Sequence, residues 1–507
     1  MQRKIEKLVI TISAIIMLMS SLTVLASDDI AYGVDISGLS QLEGQGVRYV
    51  DDDGNVDDPL KLLVEKGVDS VRIRAFVNPD SSFQWTKDSG ETCNLGYCDT
   101  AGVIYTAQRA MDLGLDIDLV FHYSDHFADP QYQDIPEQWN DATAEELTTY
   151  IYDYTYYLMD RLAQEGIYPK WVEVGNEVNG GILFPYGSST TNFEQLTEYL
   201  NAGYDAVKAV SPNSKVITHL ANLGNYSYIS VSDFTWFFDN FITTYGGKTD
   251  VIGMSYYPYW LGYDIDGAEL TLCNVAARYN KEVMICETGE SELDSKGTYE
   301  LLRKEINALA AVPDGKGIGI FYWEPEINSS VVPDSYALGA TEVVSTNTLH
   351  FTTALDAYSL EPEFLSDENY FAIYNLNSGK SLNVYSGSCD NSVNIEQYTF
   401  DDWDSQEWKF VEIEEGYYKI VNKNSGKVLD IEALSTAEGA SCIQYDYNEG
   451  WNQMWSIEND GTAYKIKNRL SGLYLGILDS SSSDGAWCVQ MTDDDSNNVR
   501  WYLLVTE

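Results

Sequence analysis

Two glutamates in this 507-residue chain stand where apolar runs stop: Glu177 closes "WVEVGNE" (171–177), and Glu287 sits near the end of "EVMICETG" (282–289). A carboxylate at the end of an apolar strand is costly to bury unless it is paired or solvated. Two such groups facing one space can divide the work, one holding a proton while the other stays ionised. That division suits the opening of an acetal: one carboxyl protonates the leaving oxygen, and the other attacks the anomeric carbon or activates water. Asn176, just before Glu177, is placed to hydrogen-bond a hydroxyl beside the reacting carbon. Glu173 lies mid-strand and reads as structural. With four histidines and no CxxC pair, transition-metal chemistry has no support. No metal or cofactor is expected, and no loop has a pattern specific enough to assign calcium.

The elements that must position this pair repeat. Eight short apolar runs alternate with helical stretches from about 28 to 360: "YGVDIS" (32–37), "SVRIRAF" (70–76), "DIDLVFHYS" (116–124), "WVEVGNE" (171–177), "KVITHLAN" (215–222), "VIGMSYYP" (251–258), "EVMICETG" (282–289) and "GIGIFYWEP" (317–325). Between them run amphipathic stretches such as "VIYTAQRAMDLG" and "NFEQLTEYLNAGYDAVKAV". Near-continuous apolar strands separated by helices imply a parallel sheet covered on both sides, here a (β/α)8 barrel. Polar groups gather where the runs end: Asp35, Arg72 and Arg74, His122 and Asp125, Asn176 and Glu177, His219 and Asn222, Tyr256 and Tyr257, Glu287, Trp323 and Glu324. In this fold the C-terminal ends of the strands share one face, which carries the active site. Strands four and seven lie across the barrel from each other, so Glu177 and Glu287 can straddle a sugar.

From about 369 the grammar changes to a repeat. Asn375, Asn422 and Asn468 are spaced by 47 and 46, as are Gly379, Gly426 and Gly472; Gln397, Gln444 and Gln490; and Trp408, Trp455 and Trp501. A period held at four positions marks three copies of one all-β unit. The division is then 27–360 for the barrel, 361–368 for an acidic linker and 369–507 for the three-fold β domain.

The N-terminus reads as an address. Arg3, Lys4 and Lys7 precede an apolar run ending at Val24-Leu25-Ala26, the pattern of a secretory signal peptide over residues 1–26, although the run approaches the length of a membrane span. Without it the chain carries 27 Lys+Arg (30 − 3) against 78 Asp+Glu (79 − 1), a net −51. Such a field repels nucleic acid and anionic lipid and favours a neutral ligand. The product is expected to be a secreted monomer with no membrane contact after cleavage. Seven cysteines leave at least one unpaired; Cys93 and Cys98 are close enough in sequence to bridge, and Cys286 reads as a small core hydrophobe.

The motifs "FHYSDHFADP" (121–130), "VGNEVNGGILFPYG" (174–187), "SYYPYW" (255–260), "ICETG" (285–289) and "FYWEPE" (321–326) resemble glycoside hydrolase family 53, the endo-β-1,4-galactanases. The resemblance implies a retaining mechanism with Glu177 as acid/base and Glu287 as nucleophile, acting on neutral β-1,4-galactan of pectic side chains or arabinogalactan. It implies that Trp323 offers a ring face to galactose. The other expected substrate contacts are Asn176, His122, Asp125, Arg74, Tyr256, Tyr257 and Trp260. Arg72, Arg74 or Tyr256 can steady Glu287, and His122 and Asp125 can orient that network or bind sugar. A plain ion pair for the arginines and a core place for His122 are the alternatives. Trp260-Leu261-Gly262 stands where the family usually has Trp-His-Gly, Phe127 stands where Trp is common, and "GESELDSKG" departs from the usual aromatic-rich continuation; these differences touch sugar subsites and leave the carboxylates alone. A related barrel hydrolase of another neutral β-linked polymer and a non-catalytic galactan-binding protein are the alternative readings. The repeat resembles a ricin-type β-trefoil of carbohydrate-binding module family 13. Its Gln-x-Trp signature stands at Gln406–Trp408 and Gln453–Trp455 and decays at Val499–Trp501. The resemblance implies sugar binding by Asp430, Tyr445, Asn452 and Gln453 in the middle repeat. The first repeat has Asn383 with Tyr398, and the third has Gly476 and a structural role only.

Overall fold

The computed structural model describes residues 30–506, apart from 81, 91, 222–230, 262–264, 333–335, 361–364, 366–368, 415 and 460–462. The expected leader, most of the linker and Asn222 therefore lie outside the described residues.

Eight parallel strands close a barrel: β1 (Ala31–Asp35), β2 (Ser70–Ala75), β3 (Asp116–Phe121), β4 (Trp171–Val174), β5 (Lys215–Leu220), β6 (Val251–Tyr256), β7 (Glu282–Thr288) and β8 (Gly317–Trp323). Each pairs with its neighbours in sequence, and β8 returns to β1. The apolar runs overran the observed strands by one to three residues at their C-terminal ends, because the polar mouth residues leave the ladder to face the cavity. Helices α1 (Pro59–Glu65), α2 (Thr100–Asp112), α3 (Ala144–Gln164), α4 (Phe193–Val210), α5 (Val231–Phe238), α6 (Ile265–Tyr279) and α7 (Ser295–Ala310) cover the outside. A 3₁₀ segment, Thr353–Ser359, takes the eighth position against α7. Their starts are written in the sequence: Asp58 caps α1 with Pro59 at its first position, Asp99 caps α2, and Thr143 with Glu146 forms a capping box on α3.

Strand alternation sorts the side chains. Ile252, Met254 and Tyr256 of β6 face the helices with Val71, Ile73, Leu119 and Val174. Val251, Ile217, Met284, Cys286 and Phe321 fill the barrel interior with Trp171. Above this apolar floor the interior turns polar at Arg72, Glu173, His219 and Ser255, all fully buried.

Twelve antiparallel strands make the second domain: β9 (Phe371–Asn375), β10 (Ser381–Val384), β11 (Val393–Tyr398), β12 (Glu407–Glu414), β13 (Tyr417–Asn422), β14 (Val428–Ile431), β15 (Cys442–Tyr445), β16 (Trp455–Asn459), β17 (Tyr464–Asn468), β18 (Tyr474–Ile477), β19 (Ala486–Met491) and β20 (Trp501–Val505). β20 pairs with β9 to close the ring. Every repeated residue has a repeated task. The indoles of Trp408, Trp455 and Trp501 donate to the carbonyls of Leu382, Leu429 and Leu475. Gln397, Gln444 and Gln490 each donate to two backbone carbonyls of a neighbouring repeat. Gly379, Gly426 and Gly472 hold positive φ in the same turn. The two domains share an apolar seam: Tyr502 and Leu504 of β20 join the barrel's helix-side core, and the Tyr464 hydroxyl donates to Ala311 O at 3.0 Å.

Among the described residues no disulfide forms, so Cys93 and Cys98 are not bridged to each other. Both are buried; Cys93 lies on a small hairpin (Gln84–Thr86 with Thr92–Asn94), and Cys98 packs with Phe76 and Leu95.

Candidate active site

The carboxylates reach one mouth through two backbone irregularities. After β4 the chain passes Gly175 at φ +89° and puts Glu177 in the left-handed region at φ +48°. Non-glycine residues adopt positive φ uncommonly. On β7, strict alternation from Met284 inward would aim Glu287 at the helices. A register shift relative to β6 pairs Ser255 with Glu287 directly after Met254 with Ile285. This bulge at Cys286 brings Glu287 into the mouth, the re-aiming that bulges supply near active sites.

Glu287 is held from two sides. Arg72 Nη1 lies 2.9 Å from one oxygen, and the Tyr257 hydroxyl donates to the other at 3.0 Å. Arg72 also pairs with Asp35 at 2.9 Å and Glu173 at 2.6 Å, and it donates to Asn176 Oδ1 at 2.8 Å. Asn176 Nδ2 donates to Ala128 O, which leaves its second amide hydrogen for a substrate hydroxyl. On the opposite side Ser255 Oγ lies 2.5 Å from Glu177 Oε1 and 2.9 Å from His219 Nε2, while His219 Nδ1 lies 2.7 Å from Glu173. One polar chain therefore joins Glu287 to Glu177 through Arg72, Glu173, His219 and Ser255.

The electrostatics separate the pair. Burial first, then the charge of Glu287, push the half-buried Glu177 up to about 8, against the lowering pull of His219 and the Ser255 hydrogen bond. Glu173 is held well below the usual carboxylate range by Arg72 and His219 against its burial, and the same carboxylate raises His219. Near neutral pH Glu177 carries a proton. Glu173, His219 and Cys286 bring ligand atoms within 4.8 Å of one another, but Arg72 and the His219 imidazole already take up the Glu173 oxygens, and the adjacent guanidinium disfavours a cation there.

An aromatic wall stands beside the carboxylates. Tyr257, Trp323 and Leu338 pack together with Phe127 at their edge. Trp260, 45% exposed, leans on Tyr257, and Tyr336 meets both Trp260 and Trp323. The Lys87 ammonium donates to the Tyr336 hydroxyl at 2.7 Å.

In the β domain, an open cleft of about 880 Å³ lies in the first repeat, with buried Asn383, Glu396 and Ser405 among its lining and Tyr385, Tyr398 and Trp403 beside them. Asn383 donates to Glu396 and accepts from Ser405. In the middle repeat Asp430 accepts from Asn452 at 2.9 Å and Gln453 at 2.8 Å. In the third, Gly476 is roofed by Met491, whose sulfur would overlap any added Cβ.

Comparison with known proteins decides the family. Residues 31–377 match the profile described as glycosyl hydrolase family 53. The chain belongs to glycosyl hydrolase family 53. Residues 359–445 and 451–507 match the ricin-type beta-trefoil lectin domain-like profile. The arabinogalactan endo-beta-1,4-galactanase of Humicola insolens is 31% identical over 318 residues, covering 58% of this chain and 88% of that one. The Cellvibrio japonicus enzyme of the same name is 31% identical over 324 residues, 58% of this chain and 79% of its own. Among solved structures, the Ignisphaera aggregans GH53 catalytic domain superposes with a TM-score of 0.57 at 27% identity, covering 66% of this chain and 97% of that one. The protein is a glycoside hydrolase with a (β/α)8 barrel followed by a β-trefoil.

Within this family 53 mouth the structure brings together Glu177, Glu287, Asn176 and Tyr257, with Trp260 and Trp323 on the aromatic wall. Arg72 contacts Glu287. Arg74 instead binds Glu324 at 2.5 Å beneath Phe127. Tyr256 points to the helix-side core, one residue out of phase with the mouth. Both oxygens of Asp125 accept backbone N–H groups, from Asn78 and Glu137, so this carboxylate fastens two loops together. His122 accepts from Ala128 N through Nδ1 and lies between Phe76 and Phe127; burial and the nearby Arg72 and Arg74 hold it neutral. Sequence reasoning passed over Ser255, Tyr336 and Trp403. Ser255 was within reach of it, since the alternation Val251, Gly253, Ser255 points inward.

Proposed function

We propose that this is a secreted endo-β-1,4-galactanase cleaving internal bonds of pectic or arabinogalactan chains with retention of configuration. The observation that carries this reading is the division of the pair: Glu177 pushed up to about 8 and Glu287 fastened to a guanidinium and a phenol. The names of the relatives support galactan as substrate. In the first step a Glu287 oxygen bonds the anomeric carbon, and the bond to the glycosidic oxygen breaks. That oxygen keeps the electron pair and takes the proton of Glu177. In the second, Glu177 removes a proton from water as its oxygen displaces Glu287. No metal or cofactor enters either step. Trp260, Trp323 and Tyr336 offer ring faces to the sugar. Among the described residues no helix is long and apolar enough to cross a membrane.

The test is reducing-sugar release from linear β-1,4-galactan, β-1,3-galactan and β-mannan in parallel. Release from β-1,4-galactan alone is expected. Release from another polymer only would move the specificity and keep the chemistry, and none from any would favour a binding protein.

The trefoil holds the polymer, with the first repeat as its main site. Trp403→Ala is expected to weaken retention on insoluble galactan about tenfold or more, the usual cost of truncating an aromatic anchor. Hydrolysis of short soluble galacto-oligosaccharides should stay the same, and Asp430→Ala should have the smaller effect on retention. The reverse order in a pull-down would return the main site to the middle repeat.

A further inference from the structure

Ser255 has one hydrogen and two neighbours for it, Glu177 Oε1 at 2.5 Å and the buried His219 Nε2 at 2.9 Å. Which neighbour receives that hydrogen depends on His219. Its Nδ1 faces two acceptors, Glu173 Oε2 at 2.7 Å and Asn176 Oδ1 at 3.1 Å. The amide oxygen is an acceptor because Asn176 Nδ2 already donates to Ala128 O and Oδ1 receives Arg72. Nδ1 therefore carries a hydrogen. A neutral imidazole would then present a bare Nε2, claim the serine hydrogen and leave Glu177 Oε1 to carry the acid proton. A charged imidazole donates to Ser255 Oγ and turns the serine hydrogen toward Glu177.

We propose that Ser255, oriented by imidazolium His219, is a positioning residue that fixes which oxygen of Glu177 carries the catalytic proton. Its hydroxyl donates to Oε1 in both ionisation states of Glu177, so the proton leaves from and returns to Oε2. When the Oε2–H bond breaks, the proton goes to the departing glycosidic oxygen; in the second step Oε2 takes a proton from water. This inference rests on the reading of Glu177 as the acid. The groups around the relay agree with a charged His219. Glu173 on β4 and Glu287 on β7 favour the cation, against burial and Arg72 on β2. Glu177 itself faces Glu287 on β7, His219 on β5 and Asp129 from the loop after β3.

The experiment compares wild type, Ser255→Ala, Ser255→Thr and Glu177→Gln on two substrates: linear galactan, whose leaving group must be protonated, and 2,4-dinitrophenyl β-1,4-galactobioside, whose leaving group need not be. For Ser255→Ala, kcat/KM on galactan is expected to fall about tenfold to a hundredfold, and far less on the dinitrophenyl substrate. Loss of a donor to the carboxylate favours its protonated form, so the alkaline limb of the galactan profile should move up by about one pH unit. Ser255→Thr, which keeps the hydroxyl, should restore both. A parallel fall on the two substrates with an unmoved alkaline limb would overturn the proposal and make Ser255 a packing residue. If Glu177→Gln itself loses the two substrates equally, the reading of Glu177 as acid fails first.

Discussion

Glu287→Ala is expected to stop galactan hydrolysis, a loss on the order of 10⁴ to 10⁶ in kcat, as when the nucleophile of a covalent mechanism is removed. The fold should survive, because Arg72 keeps Asp35 and Glu173 as counter-charges. Sodium azide separates the roles of the two carboxylates. In Glu287→Ala it attacks the anomeric carbon from the vacated face and gives an α-galactosyl azide. In Glu177→Ala, assayed on the dinitrophenyl galactobioside, azide intercepts the glycosyl-enzyme and gives the β-azide, while galactan turnover falls about 10² to 10⁴-fold. The opposite anomers would exchange the two assignments. Full activity in Glu287→Ala would remove that residue from the chemistry.

Arg72→Met should carry the largest cost in stability. The guanidinium is fully buried and is the shared counter-charge of Asp35, Glu173 and Glu287. Without it the three carboxylates keep only His219 beside Glu173 and Arg74 at 3.9 Å from Asp35, and breaking a buried pair from one side costs about 3–5 kcal/mol. For a barrel of about 330 residues that lowers Tm by roughly 4–7 °C. Arg72→Lys should fall between, since an ammonium reaches one or two acceptors and lacks the fork that meets Glu173 with two nitrogens. Thermal melts followed by circular dichroism check the order. A Tm within a degree or two of wild type for Arg72→Met would mean that protonation or water replaces the guanidinium at little cost.

The barrel was legible because its strands are apolar on both faces and its helices announce their caps. The mouth was legible wherever the strand period runs unbroken to the end. Strand-end place misled at β2 and β3, where Arg74, His122 and Asp125 fasten the scaffold, and at β6. At β7 the strand-end place of Glu287, and not the period, put it rightly in the mouth. At β6 the run "SYY" offers two aromatics that look like sugar contacts, yet the pleat sends Tyr256 outward and leaves Ser255 and Tyr257 to meet the carboxylates. At β7 a single bulged residue turns Glu287 inward, and a bulge has no periodic signature. Glu173 reads as structural from its mid-strand place, and its pairing with Arg72 and His219 gives that reading a mechanism. In the trefoil the same regularity that revealed the fold concealed the cleft. The repeat is carried by core Gln and Trp residues, while Trp403 lies in a loop where the next copy has Gly450.

The seam between the domains sets how the two can be combined. A binding domain strung on a free linker ends at its own wet surface, so it can be detached, replaced or moved to the other end of a chain. Here β20 spends part of its apolar side on the outer helices of the barrel, and Ala311 receives the Tyr464 hydroxyl. A barrel cut free would present bare hydrocarbon where Tyr502 and Leu504 now rest, and a foreign trefoil would need that same footprint to fit. The architecture is thus a fused unit, and shuffling its halves means redesigning both faces of the seam together.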